Sequence, residues 1–178
     1  MGHRTLLAYE RGNDYDLHRA HWGVDPGTIT AETPFGGPPD DAWARRRAEA
    51  LLDPAGGELT ERNETAVDPE PIADGIGFEA VLGAVDPIEH EALYVVDSAW
   101  NVRTYLVFDV GGCRNASGAI VRHDGATDAA YLRGWLAGAR AVRETNDVGD
   151  DAVVRALRWL DPSRGVVVWF DGECSRCS

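Results

Sequence analysis

Apolar positions in this chain recur with two periods, and the period separates strands from helices along its length. Near the N-terminus, Leu6 to Glu10 and Tyr15 to Trp22 read as strands, joined at Arg11-Gly12-Asn13-Asp14 by turn-forming residues, so a hairpin opens the chain. The cleanest period-two stretch is VRTYLVFDV. Val102, Thr104, Leu106, Phe108 and Val110 fall on one face, and Arg103, Tyr105, Val107 and Asp109 on the other. LYVV at 93–96, AIVRH at 119–123 and GVVVWF at 165–170 are further strands.

Helical spacing appears in four places. Asp40 or Asp41 caps DDAWARRRAEALL, where Trp43, Ala44, Ala48, Leu51 and Leu52 share a face and the Arg45-Arg46-Arg47 run points to solvent. Phe78, Val81, Leu82 and Val85 space a two-turn helix. Two longer helices follow, over about 127–144 with Leu132, Trp135, Leu136 and Val142, and over 150–160 with Val153, Val154, Leu157 and Leu160. Residues 23–40 are rich in Gly, Pro and Thr and read as a loop. Residues 53–75 are acidic, proline-bearing and aperiodic, which predicts a mobile surface loop. The expected fold is a single α+β domain over 1–178, with an antiparallel or mixed sheet of five to six strands, a helical pair on one face and a short Cys-containing C-terminal tail.

Composition changes the picture through charge. The net charge is −13, all 17 basic residues are arginine, and lysine and glutamine are absent. Such a surface suits molar salt, where carboxylates hold water and cations while screening removes their mutual repulsion. A halophilic source is therefore expected. The same charge argues against nucleic acid or an anionic membrane as partner. No run approaches the length of a membrane span and MGHRTLLAYERG has no signal-peptide core, so a cytoplasmic protein is expected.

Candidate chemistry is sparse: the chain contains no G-x-S-x-G, P-loop, G-x-G-x-x-G or H-E-x-x-H pattern. Asp97, Asp109, His123 and Asp124 lie at predicted strand ends, where a halophilic surface would also place acids. His18 and His21 sit three apart. On an extended strand they point to opposite faces, so they share a metal only if the strand breaks near Arg19.

The terminal Cys174-x-x-Cys177 pair has three readings. As a zinc half-site it needs further ligands, first Cys113, then His18 or His21. As a redox centre, VVVWFDGECSRC resembles the opening of the DCC-type thiol-disulfide oxidoreductases, in which a following helix activates the attacking cysteine. Here one residue follows Cys177, and thiols of ordinary pKa are expected. The third reading is a pair of reduced cysteines on a tail.

The opening residues carry a second resemblance. Gly2-His3-Arg4, Ala8-Tyr9-Glu10-Arg11, Tyr15-Asp16-Leu17-His18 and His21-Trp22-Gly23 resemble the DUF6735-type family of uncharacterised haloarchaeal proteins. That likeness implies a halophilic source and no assigned activity. The function expected from the residues is a non-enzymatic protein-interaction or regulatory domain, zinc-stapled on the metal reading of its CxxC. Its contacts to a protein partner would be the aromatic hairpin and the 53–75 loop. The alternative is a small enzyme, either a thiol-disulfide oxidoreductase using Cys174 and Cys177 or a hydrolase built around His18 and His21.

The charge balance generates the first prediction. Thermal melts of the purified protein should give a markedly lower midpoint below a few tenths molar KCl than in molar KCl. An unchanged midpoint would count against the halophilic reading.

Overall fold

The computed structural model describes residues 4–20, 23–37, 65–110, 118–146, 148–160 and 169–170. The predicted helix at 40–52 and most of the predicted strand at 165–170 lie outside them. Seven strands form one sheet: β1 (Thr5–Arg11), β2 (Asp14–Ala20), β3 (Ala73–Ile76), β4 (Ala92–Val96), β5 (Val102–Asp109), β6 (Gly118–His123) and β7 (Trp169–Phe170). The order across the sheet is β3-β2-β1-β4-β5-β6-β7. Helices α1 (Phe78–Gly83), α2 (Gly125–Asn146) and α3 (Asp150–Leu160) complete an α+β fold.

The sheet is mixed because of a single pairing. β1 runs parallel to β4, with Leu6 beside Leu93 and Ala8 beside Val95, whereas every other neighbour is antiparallel. The β1–β2 hairpin closes through Gly12 and Asn13, and Gly12 takes φ +72°, which glycine reaches without a Cβ penalty. β7 pairs with β6 at the end of the strand order.

β3 is the strand that periodicity did not reveal. Four residues are too few to display a period, and Asp74 and Gly75 read as loop. Tertiary contacts make it a strand. Ile72 N–H donates to Leu17 O at 2.7 Å, and Gly75 N–H donates to the Asp16 carboxylate at 3.2 Å. The stretch 53–75, expected to be a mobile surface loop, thus ends in a paired strand from Ala73. Val67, from the same stretch, is fully buried.

Side chains alternate between the two sheet faces, and apolar residues cover both. On one face Leu6, Ala8, Leu93, Val95, Tyr105, Val107 and Ile120 pack with Val81 and Leu82 of α1 and with Val85. The opposite face holds two clusters. Leu106, Phe108, Ala119 and Val121 pack with Leu132 and Leu136 of α2 and Val153 and Leu157 of α3, with Trp135 against them. Leu7, Tyr9 and Val96 pack instead with loop residues Val24, Ile29 and Val67. The Arg103-Tyr105-Val107-Asp109 face of β5, polar at its ends, is thus buried at its centre. Among the described residues no helix is long and apolar enough to cross a membrane.

Gly118 offers a sharp test of packing. A Cβ there would lie 2.4 Å from Pro87 Cβ and 2.6 Å from the Phe108 carbonyl oxygen, and that backbone atom cannot rotate away. Gly118→Ala should destabilise the fold by about 1–3 kcal/mol, the usual cost of overpacking. Gly134→Ala, in the middle of α2 with open space around the added methyl, should stabilise by roughly 0.5–1 kcal/mol. Urea denaturation of the two variants should move in opposite directions.

Candidate functional site

The hairpin residues that carry chemistry converge on one cleft. Tyr9 and Arg11 of β1 and Asp16 and His18 of β2 project from the same sheet face, since Tyr9 is paired with Asp16 and Leu7 with His18. Phe35 from the first loop, Pro69 and Pro71 from the second, and Trp100 from the β4–β5 turn complete the walls of a cleft of about 590 Å³.

Its floor is aromatic. Tyr9 meets His18 edge-on at 5.1 Å between ring centroids, Phe35 at 6.1 Å and Trp100 at 6.3 Å, and His18 also meets Phe35 at 5.4 Å. The three Tyr9 pairs set ring edges against ring faces, the arrangement favoured by the aromatic quadrupole, while His18 and Phe35 are tilted. Polar atoms on the floor are internally bonded. The Tyr9 hydroxyl donates to Pro34 O at 2.5 Å, and burial holds its pKa above the ordinary tyrosine range. His18 Nδ1 lies 2.9 Å from Asp68 O. A carbonyl can only accept, so the proton sits on Nδ1.

Trp100 stands at the cleft's mouth in an unusual conformation. Its φ is +64°, the left-handed region that a bulky residue seldom enters. Asp97 holds the turn that imposes it. Its Oδ1 accepts from the N–H groups of Ala99 and Asn101, each at 2.9 Å, and the Trp100 N–H donates to Asp97 O at 2.9 Å. The Asn101 side-chain amide also donates to this carboxylate, and those bonds lower its pKa. Trp100 thus stays 36% exposed beside a buried aromatic floor. Charge gathers at the rim, with Glu10, Asp16 and Asp97 against Arg11, whose Nε is 2.9 Å from Asp16 Oδ2.

Of the residues expected to bind metal, Cys113, Cys174, Cys177 and His21 lie outside the described residues. His18 is described and buried between Tyr9 and Phe35. β2 continues unbroken through Arg19 and Ala20, paired with Leu6 and Thr5, so the break that would let His18 and His21 share a ligand is not at Arg19. Among the described residues, no three His, Cys, Asp or Glu side chains are gathered as a metal site. His90 and His123 sit elsewhere in the fold: His90 Nδ1 accepts from the Asp86 N–H at 2.9 Å, and His123 Nδ1 lies 3.2 Å from Gly125 O.

Phe35, Trp100, Pro69 and Pro71 do not stand out in the sequence because each belongs to a segment without periodicity. A tryptophan flanked by Asp97 and Asn101, both turn formers, is the one local signal there. Among known proteins, a family model described as a family of unknown function, DUF6735, matches residues 1–168. No curated protein and no solved structure matches the chain.

The Tyr9 hydroxyl bond gives a direct test of the cleft floor. Tyr9→Phe should cost about 0.5–1.5 kcal/mol, the net value of one hydrogen bond, and leave ring packing intact. Chemical denaturation with near-UV circular dichroism would check both; a loss of more than about 3 kcal/mol would mean that the ring had moved as well.

Proposed function

The chain belongs to the DUF6735 family, and we propose that it is a non-enzymatic, cytoplasmic interaction domain that takes an extended segment of a protein partner into the hairpin cleft. One observation carries this reading. Two regions expected from sequence to make contacts, the aromatic hairpin and the loop ending at 75, line one cleft together, through Tyr9 and His18 of the hairpin and Pro69 and Pro71 of the loop. The polar atoms best suited to chemistry, Tyr9 Oη and His18 Nδ1, are engaged by backbone carbonyls. What the cleft offers an incoming molecule is ring surface, with Trp100 as the exposed anchor.

Aromatic-lined grooves favour proline-bearing extended segments, whose stiffness reduces the ordering cost of binding. The carboxylate excess at the rim favours a basic flank on that segment. The halophilic setting and a zinc staple on Cys174 and Cys177 remain part of this reading on sequence grounds alone.

Fluorescence anisotropy against short proline-containing peptides tests the proposal. Arginine-flanked peptides should bind, while glutamate-flanked or proline-to-alanine versions should bind at least tenfold more weakly. Trp100→Gly removes the anchor and suits the left-handed backbone, so it should keep the fold and lose about 2 kcal/mol of binding, a hot-spot-sized effect. Equal affinity for all peptides, or full affinity in a folded Trp100→Gly variant, would overturn it.

A further inference from the structure

The sheet face opposite the hairpin cleft has a short helical cover. α1 spans six residues, and its N-cap Gly77 supplies no side-chain bond, so it is too short to hold as an isolated helix. It nevertheless gives Val81 and Leu82, followed by Val85, to the buried cluster on Leu6, Leu93 and Tyr105. The link from Asp86 to His90 ties that cover down as the chain turns back into β4.

Reciprocal bonds between its two end residues close the link. His90 N–H donates to Asp86 O at 2.8 Å, and Asp86 N–H donates to His90 Nδ1 at 2.9 Å. The Glu89 N–H joins the same carbonyl at 3.1 Å, and the Ile88 N–H donates to Asp86 Oδ1 at 2.8 Å. Just beyond, Glu91 N–H donates to Arg4 O, and Glu91 O accepts from the Val107 N–H, which docks the link onto β1 and β5. Pro87 sits over β6 in the space that Gly118 leaves by lacking a Cβ.

One of these bonds depends on the protonation state of a side chain. A backbone N–H can only donate, so Nδ1 of His90 presents its lone pair and the ring proton is on Nε2. His90 is 6% exposed, and its Nε2 has no hydrogen-bond partner. A second ring proton would sit on Nδ1 and face the Asp86 N–H. The charged ring would then hold one donor aimed at a donor and another buried without an acceptor, both costly. The charges around it are mixed. Asp86 and Glu89 of the link favour the protonated ring, and Arg19 of β2 opposes it. Arg4 of β1 pairs with Glu89 at 3.1 Å, and Glu91, just before β4, is exposed. Burial is the largest effect and also opposes protonation, so the ring's pKa lies below the ordinary histidine value.

We propose that the Asp86–His90 link is a proton-operated latch: when His90 takes up a proton the turn opens, and α1 is released from its sheet face. In the open link the imidazolium reaches water and has the Asp86 and Glu89 carboxylates as partners. The direction with pH follows from which form binds the proton. Below about 6.5, the ordinary histidine value, the open form is protonated where the closed form is not. Closure is therefore fully favoured above that pH and weakens as pH falls.

Native-state hydrogen exchange on the full chain in molar KCl, corrected for the intrinsic pH dependence of exchange, tests the latch. A comparison of about pH 7.5 with about pH 5 spans histidine titration and stays above the ordinary carboxylate range. Protection of the Ala84, Val85, Glu89 and His90 amides should fall at least fivefold at the lower pH, while Leu132 and Leu136 in α2 change less than twofold. His90→Asn places an amide oxygen near the position of Nδ1 and cannot titrate, so the link should stay closed at both pH values. The proposal fails if protection of the link is the same at both, if α2 loses protection equally, or if a folded His90→Asn variant keeps the whole drop. Should that variant not fold, ring nitrogen shifts of the native chain above pH 7 decide: a proton on Nε2 supports the latch, and a proton on Nδ1 overturns it. Peptide binding in the hairpin cleft enters none of these outcomes.

Discussion

The parallel contact between β1 and β4 is the constraint on which the rest of the molecule depends. Parallel neighbours cannot be joined by a tight turn, so the chain makes a long excursion from Gly12 to Glu91 before β4 can pair. That excursion supplies β2 and β3 on the far side of β1, together with the loops that carry Val24, Phe35 and Val67. β1 is left in the middle of the sheet, with Leu6, Leu7 and Ala8 each 0% exposed and apolar clusters on both its faces. Three adjacent residues without alternation are what burial on both faces demands.

The division of one sheet face follows from the same arrangement. Around β5 and β6 that face packs with helix residues, and around β1 and β2 it packs with loop residues. The hairpin cleft lies on this face, beside the turn after β4. Asp97 holds that turn through its bonds to Ala99 and Asn101, and Trp100 in its left-handed conformation stands at the cleft's mouth.

Strands and helices with long or regular patterns are legible in the residues themselves. The alternation of Leu106 and Phe108 and the helical spacing of Leu132 and Leu157 mark residues that meet in one buried cluster, because period and burial are linked by backbone geometry. The helix expected at 150–160 agrees at both ends with α3, and the one over 127–144 lies within α2. β3 leaves no such trace because its four residues take extended form only from pairing with β2, which is more than fifty positions away. Of the site, Tyr9, Arg11, Asp16 and His18 stand out as a dense run of polar and aromatic residues on a hairpin, while Phe35, Pro69, Pro71 and Trp100 do not.

By itself, then, the sequence determined the α+β class, most element positions, the acidic surface and the hairpin as a region of interest. These depend on local period, on turn chemistry and on summed charge, which are properties of the chain whatever its fold. Tertiary structure alone decided which strands became neighbours, that both sheet faces would be buried and that two aperiodic loops would close a cleft over the hairpin. Contacts between distant residues are selected by packing and by pairing of backbone hydrogen bonds, and neither leaves a period in the residues it brings together.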